Sequence, residues 1–195
     1  MSVALGAEDR VLASRVIEIA HSSEALLRCI DEVLSESSTT LQELDGLVAL
    51  RGPGSFTGLR VGLATLLGLH QALRLPAVAV PTLDVLRLAA PSGSKRTVTV
   101  VDALRGEWFT RLFVDGQSVQ EARIISVTEL DQLNPDCVVG HGAAGLAAAL
   151  PGVRIVDSPE LAPLALRFLC EQAVPWSEST LLDPLYLRPP AVRAN

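Results

Sequence analysis

One run of residues carries most of the chemical information in this chain: Arg51-Gly-Pro-Gly-Ser-Phe-Thr-Gly-Leu-Arg-Val-Gly62. A glycine-rich loop that leads into a helix can hold a phosphate group, because the free backbone N–H groups at the helix start point toward it. A P-loop, however, places a lysine and then a serine or threonine after its last glycine. Here Leu59 and Arg60 follow Gly58, so the pattern does not favour nucleotide binding at this loop.

The same run begins a predicted helix that extends to about Arg74, with Ser55 and Thr57 as candidate N-caps. Glycine inside a helix costs roughly 1 kcal/mol relative to alanine, and close approach by another backbone or by a ligand is the usual reason for it. One narrow stripe of mostly small residues runs along this helix: Gly58, Gly62, Thr65, Leu69 and Ala72. The stripe therefore predicts contact with a second helix, which belongs either to this chain or to another subunit.

Metal and hydrolase chemistry have little support in the sequence. No histidine is paired with another at i, i+4, and the three cysteines are scattered singly, whereas zinc sites need closely spaced ligands. No G-x-S-x-G nucleophile elbow occurs. Residues 102–107 place two acids and an arginine at a predicted hairpin turn, where they could bind a metal or a phosphate. A salt-bridged turn is the interpretation that we favour for this segment.

The composition argues against a stand-alone nucleic-acid-binding protein and against a secreted or membrane protein. The chain has 195 residues, a hydrophobic fraction of 49% and a net charge of −6. An acidic chain is a poor stand-alone binder of nucleic acid, because such affinity comes mostly from neutralising phosphates. The sequence shows neither a signal-peptide pattern nor an apolar run of about 20 residues. We therefore expect a cytoplasmic protein with no membrane contact.

The elements that would position these residues form two similar series. A breaker-rich segment at 91–96 separates residues 1–90 from residues 97–195, and we expect a domain boundary there. The second half is predicted as three strands, a helix, a strand, a helix over 142–150, a strand and a helix. The first half shows the same series without its first strand. This repeat predicts an α/β fold of two related lobes.

The 51–62 run closely resembles the signature of the TsaB (YeaZ) family. Four further segments are similar to segments of that family: 21–27, 81–83, 101–108 and 184–188. The resemblance implies a two-lobed actin-like fold of the ASKHA, RNase H-like type, which agrees with the repeat.

The resemblance also implies a function. It identifies the chain as a non-catalytic scaffold subunit of the bacterial complex that makes N6-threonylcarbamoyladenosine at position 37 of tRNA. It implies binding to a TsaD-type transferase subunit, a TsaE-type ATPase that joins the complex, a homodimer when alone, and only indirect contact with tRNA. It implies no cofactor, no metal and no catalytic residue. The alternatives are an actin-like ATPase or M22-type peptidase homologue, or a stand-alone structural homodimer.

The resemblance places the partner interface on two helices. The expected contacts are the exposed side of the first helix, from Ser22 to Val33, and the small-residue face of the glycine-bearing helix. The residues in question are Ser22, Leu26, Ile30, Val33, Gly58, Gly62, Thr65 and Leu69.

The chain departs from the family at its start. The family begins with a strand that lies in the middle of the first lobe's sheet, between the strand that residues 2–5 resemble and the strand at 46–50. Its absence would expose two rows of backbone groups, and each buried, unmade hydrogen bond costs about 1–3 kcal/mol. Three explanations are open: a true start upstream of Met1, which we favour, direct pairing of the two flanking strands, or a strand from another chain.

Overall fold

The computed structural model describes residues 1–7, 10–17 and 23–187 as an α/β fold with three β-sheets. The strands are β1 (Ser2–Ala7), β2 (Arg10–Val16), β3 (Leu47–Leu50), β4 (Ala77–Val80), β5 (Arg96–Asp102), β6 (Glu107–Val114), β7 (Gln117–Ser118), β8 (Arg123–Ser126), β9 (Cys137–His141) and β10 (Arg154–Asp157). The α-helices are α1 (Ser23–Glu36), α2 (Phe56–Leu73), α3 (Thr82–Leu86), α4 (Val127–Gln132) and α5 (Leu161–Gln172). Across the described ranges, none of the helices combines the length and the apolar character that crossing a membrane requires.

The second half of the chain forms one six-stranded sheet, in the order β10-β9-β5-β6-β7, with β8 also paired to β6. β5 lies at its centre, parallel to β9 and antiparallel to β6. Residues 97–101 of β5 are all buried and all are valine or threonine. Such β-branched side chains favour strands, and a continuous run of them is typical of a strand covered on both faces.

The strands of the first half form two separate sheets. β1 and β2 make an antiparallel hairpin, and β3 and β4 make a parallel pair. Within the described residues β1 and β3 are not paired with each other, so the explanation that the two flanking strands close up the sheet is wrong. The pairing otherwise matches the second half, where β6 and β8 are antiparallel and β9 and β10 are parallel.

Two helices join the halves. Leu83 and Leu86 of α3 pack with Val101 and Val139 of the six-stranded sheet. On the other side α3 shares a core cluster with β4 and α5, in which Ala165 of α5 is buried. α5 therefore packs on first-half strands although it belongs to the predicted 97–195 unit, and the domain division stays a prediction.

The glycine-bearing helix begins and ends where the sequence predicts. The Ser55 hydroxyl accepts the Gly58 backbone N–H at 3.3 Å, which confirms Ser55 as the N-cap. α2 ends at Leu73, and Arg74 follows in the left-handed region with φ of 56°.

The predicted helix over 142–150 is wrong: only a 3₁₀ turn, Ala143–Leu146, forms there. Gly142 has a φ of 85° and Gly145 lies inside the segment, so the backbone gains little from helix formation. The Asp157 carboxylate also accepts the Ala144 backbone N–H at 2.9 Å.

Candidate functional site

A cavity of about 1490 Å³ separates the two first-half sheets. β1 and β3 line it on two sides, α1 and α2 line a third side, and α5 lines the side that faces them. We call this cavity the slot. Its walls are mainly apolar side chains and strand backbone, so it is suited to an apolar or extended ligand rather than to a charged one.

The free edge of β1 turns its backbone groups toward the slot. Met1 and Ile17 exchange both hydrogen bonds of an antiparallel pair: the Met1 ammonium donates to the Ile17 oxygen at 3.0 Å, and the Ile17 N–H donates to the Met1 oxygen at 2.7 Å. In such a ladder the backbone N–H and C=O groups of successive residues point alternately toward the partner strand and away from it. The backbone N–H and C=O groups of Ser2 and Ala4 therefore point away from β2, toward the slot.

The free edge of β3 does the same from the opposite side. The Leu47 backbone N–H donates to the Pro76 oxygen, and the Arg51 backbone N–H donates to the Val80 oxygen of β4, each at 2.9 Å. Because alternate residues of a strand bond to the same neighbour, Val48 and Leu50 direct their backbone groups away from β4. Both residues line the slot. In the part of the chain that the structure describes, neither β1 nor β3 has a strand partner on this side.

The residues predicted as a partner interface lie mostly in the wall of this slot. Leu26 and Val33 of α1 are only 5% and 2% exposed, so their predicted place on the exposed side of the first helix is wrong. The physical reason is that their apolar stripe, which includes the half-buried Ile30, faces the strands. The side of α1 that is exposed carries Leu27 and Arg28 instead.

The glycine face of α2 also turns inward. Gly58, Gly62 and Leu69 line the slot, whereas Thr65 is half-buried and lies outside its lining. Apart from its own helix, no heavy atom lies within 4 Å of the position that a Cβ would take at Gly62. The interior glycine therefore borders open space rather than a second helix. Ser22 lies outside the described residues.

The loop before α2 is held by the C-terminal tail, which sequence reasoning missed. The Leu185 N–H donates to the Arg51 oxygen at 2.6 Å, and the Leu185 oxygen would lie 3.0 Å from a Cβ at Gly52, whose φ is 102°. The Phe56 and Tyr186 rings have centroids 5.2 Å apart. Both halves of this contact are family-like motifs, but no local pattern predicts that they touch.

The loop at residues 51–55 is therefore anchored by contacts with the segment around Asp183 and Leu185. The Arg51 guanidinium pairs with the Asp183 carboxylate at 2.8 Å, and Arg60 stacks on the Phe56 ring with its Cζ 3.9 Å from the centroid. The Leu185 backbone lies so close to Gly52 that a side chain at this position would be crowded, which explains the glycine.

His141 lies at the end of β9, where the slot reaches the second half. Its Nε2 atom is buried and has no hydrogen-bond partner in the structure. Burial lowers the pKa of His141, and the nearby Asp157 carboxylate opposes that shift. The side chain is therefore held in its neutral form at physiological pH.

The acidic turn at 102–107 has a local structural role. The Asp102 carboxylate accepts the Leu104 backbone N–H at 2.7 Å, and Leu104, Arg105 and Gly106 all have positive φ. The carboxylate thus stabilises a strained hairpin turn. Among the described residues, no group of three or more His, Cys, Asp or Glu side chains is placed to hold a metal ion.

Comparison with known proteins gives a consistent family. The model of a family described as TsaD, tRNA N6-adenosine threonylcarbamoyltransferase, matches residues 12–137. An uncharacterized protein of Mycobacterium tuberculosis (strain H37Rv) is 30% identical over 182 residues, which are 92% of this chain and 82% of that protein. The Escherichia coli K12 protein named tRNA threonylcarbamoyladenosine biosynthesis protein TsaB is 33% identical over 108 residues, which are 54% of this chain and 47% of that protein.

The chain spans less than half of some relatives that it matches: it covers 48% of an uncharacterized Mycobacterium leprae protein at 32% identity. Two solved structures from Pseudomonas aeruginosa share the fold. One, described as similar to peptidase YEAZ, superposes with a TM-score of 0.75 at 26% identity and covers 96% of this chain and 94% of its own. The other, YeaZ, superposes with a TM-score of 0.71 at 25% identity, over 95% of this chain and 93% of its own. The motifs, the relatives named TsaB and the structural likeness to YeaZ agree, and the chain belongs to the TsaB (YeaZ) family.

Proposed function

We propose that this chain is an accessory subunit in the biosynthesis of threonylcarbamoyladenosine in tRNA. The relatives named TsaB are biosynthesis proteins of this modified nucleoside, and they support the proposal through 30–36% identity. In this role the chain binds a TsaD-type transferase subunit and leaves the transfer chemistry to it. The match of the TsaD family model to residues 12–137 supports such a pairing, because a chain that resembles its partner can pair with it through the same surface patch on each, as in an isologous dimer.

The proposal extends to the architecture and the assembly. We take the fold to be a two-lobed actin-like one, supported by the repeated pairing pattern of the two halves. The same contact surface would form a homodimer when the chain is alone. A TsaE-type ATPase would join through the complex, and tRNA would be contacted only indirectly, in the cytoplasm.

The surface that best fits a partner is the outer face of α1 and α2. These helices pack against each other, and α1 exposes Leu27, which is 43% exposed, beside the charged Arg28 and Asp31. α2 exposes Ala64 and Gly68 one turn apart. Small residues let another helix approach closely, and an exposed leucine with a charged rim is typical of a protein contact. This outer face replaces the inward stripe of Gly58 and Gly62 as the proposed interface.

The observation that carries the proposal is the combination of family membership with this exposed helix pair. Its test is co-elution of the purified chain with a TsaD-type subunit in size-exclusion chromatography. We expect a complex of the two, and we expect Ala64→Glu to weaken it by at least about tenfold, because a charge would be buried at the contact.

The matched control is Ala148→Glu, which places the same change at an exposed alanine of the second half. It should leave the complex intact. Absence of any complex with the unaltered chain would contradict the function proposed, and equal binding by Ala64→Glu would contradict the surface.

A further inference from the structure

The N-terminal end of α2 carries part of an exposed cluster of three side chains. The Phe56 and Tyr186 rings, each 37% exposed, lie with their centroids 5.2 Å apart. Arg60, one turn along α2, stacks on the Phe56 ring, and its Nε donates to the Tyr186 hydroxyl at 3.4 Å. We call these three residues the platform. They lie outside the lining of the slot, so the platform is a separate surface.

The C-terminal segment that supplies Tyr186 is fixed along one edge of β4. Residues 176–186 follow α5 and cover the edge of β4 that does not pair with β3. The Ser177 N–H donates to the Ala77 oxygen at 3.1 Å, and the Ala79 N–H donates to the Thr180 hydroxyl at 2.6 Å. These bonds satisfy backbone groups of β4 that would otherwise form an open sheet edge.

The same segment ties Tyr186 to the start of α2. Leu181 is only 3% exposed and packs in the core cluster that includes Leu63 of α2. The Leu185 N–H donates to the Arg51 oxygen at 2.6 Å. The platform is therefore held in one arrangement before any partner arrives, and a preorganised surface loses little conformational freedom on binding.

The composition of the platform is typical of a protein contact. Aromatic side chains and arginine are enriched at interfaces, and tyrosine and arginine are among the residues that carry most of the binding energy. Arg60, Ala64 and Gly68 are all exposed and follow one another at intervals of one turn along α2. The platform therefore extends the proposed outer face of α1 and α2 toward the N-terminal end of α2.

The charge of the platform indicates what a partner must supply. Among the described residues, Arg60 forms no ion pair. α2 itself contains no aspartate or glutamate, so the same helix of a second copy would bring no carboxylate to Arg60. Arginine–carboxylate pairs are among the stronger hydrogen-bonded contacts in proteins. A surface that matches the platform therefore has a carboxylate next to an apolar side chain.

We propose that the platform binds a helix of the TsaD-type subunit, one that presents an aspartate or glutamate to Arg60 and an apolar side chain to the Phe56 and Tyr186 rings. This role of the platform rests on the function proposed above. It adds the C-terminal segment, through Tyr186, to a contact otherwise made by α1 and α2. It also gives that contact an electrostatic part, which the uncharged Ala64 and Gly68 do not provide.

Isothermal titration calorimetry of the complex with a TsaD-type subunit tests this role with a matched pair of variants. Arg60→Met removes the charge and keeps an apolar stem beside the Phe56 ring. We expect it to raise the dissociation constant at least about tenfold, because the partner carboxylate is left unpaired. The control is Arg154→Met, which removes the same charge from an exposed arginine of β10. It should change the dissociation constant less than about twofold.

The response to salt separates a direct contact from a structural role. Raising the ionic strength from about 0.05 to about 0.5 M screens charges, so it should weaken the complex of the unaltered chain more than that of the Arg60→Met chain. If Arg60 acted only by packing within this chain, its loss would weaken binding equally at both ionic strengths. Because Arg60 is exposed, Arg60→Met should also leave the midpoint of thermal unfolding nearly unchanged.

A second pair of variants tests the contribution of the C-terminal segment. Tyr186→Ala removes the ring from the platform and should raise the dissociation constant at least about fivefold. Tyr186→Phe keeps the ring and its contact with Phe56, so it should stay within about twofold of the unaltered chain.

Three results would overturn this role. One is an equal dissociation constant for the Arg60→Met and Arg154→Met chains. Another is an equal salt dependence for the unaltered and Arg60→Met complexes. A third is weaker self-association of the Arg60→Met chain with an unchanged affinity for the TsaD-type subunit, which would assign the platform to a second copy. A complex that forms normally with Arg60→Met contradicts the platform alone, whereas no complex with the unaltered chain contradicts the proposed function as well.

Discussion

The two halves of this protein build the same pairing pattern with different completeness. In the second half a buried run of valine and threonine at 97–101 joins the antiparallel and parallel pairs into one sheet. In the first half the equivalent pairs stand apart, and α1, α2 and α5 surround the space between them. The comparison teaches that helices and strand pairs can be specified locally while the sheet itself depends on one central strand. The second half is therefore expected to be the more stable unit.

The largest contrast is expected for one substitution made in each half. A Cβ at Gly140 of β9 would lie 1.7 Å from the Val100 oxygen of β5, so Gly140→Ala should lower the free energy of unfolding by at least about 3 kcal/mol. Gly62→Ala faces open space and removes an interior helix glycine, so it should raise that energy by about 1 kcal/mol. Urea denaturation of both variants checks the pair. Equal effects would contradict the difference in packing.

The next effect concerns the ion pair that links the halves. Arg111 of β6 contacts the Asp84 carboxylate of α3 at 2.7 Å, and both side chains are mostly buried. Desolvation raises the pKa of Asp84 and outweighs the opposing attraction of Arg111. Arg111→Met leaves that carboxylate buried without its partner and should cost about 2 kcal/mol at pH 7.

This cost should depend on pH with a definite sign. A carboxyl group whose folded pKa lies above its unfolded value stabilises the fold most at low pH and loses that contribution as pH rises through the folded pKa. The cost of Arg111→Met should therefore shrink as pH falls, because protonation of Asp84 removes the buried charge. Thermal unfolding from pH 4 to pH 7 measures this, and a cost that grows in acid would contradict it.

The smallest effect is expected at His141, where the slot meets the second half. Burial lowers the pKa of this side chain below its unfolded value, so the folded state binds fewer protons than the unfolded one. The stabilising contribution is present above about pH 6.5 and is lost as pH falls. His141→Gln should flatten the dependence of the free energy of unfolding on pH below about pH 6.5, and urea denaturation at a series of pH values measures it. A steeper dependence in the variant would contradict this origin.

Local features of the fold follow from the sequence, because local forces decide them. Ser55 caps α2 as its position before a helical pattern predicts, and the run at 97–101 forms the buried strand that its β-branched side chains favour. The helix predicted over 142–150 does not form, because two glycines disfavour it and the Asp157 carboxylate accepts the Ala144 backbone N–H.

The site was harder to predict because it depends on distant contacts. The spacing of Gly58 and Gly62 predicts contact with a second helix, whereas in the structure both glycines line an open slot. The position of Leu26 in the wall of the slot depends on how α1 packs on the strands. The contact of Tyr186 with Phe56 joins residues 130 positions apart, and no local pattern reports it.

The most direct test of the divided first half is native-state hydrogen exchange of the chain alone. The account predicts rapid exchange at the slot-facing amides of Ala4, Val48 and Leu50, and protection close to the global free energy of unfolding at Val98 and Val100 of β5. Equal protection at both sets of amides would show that the first half is already a complete sheet, and it would contradict the account.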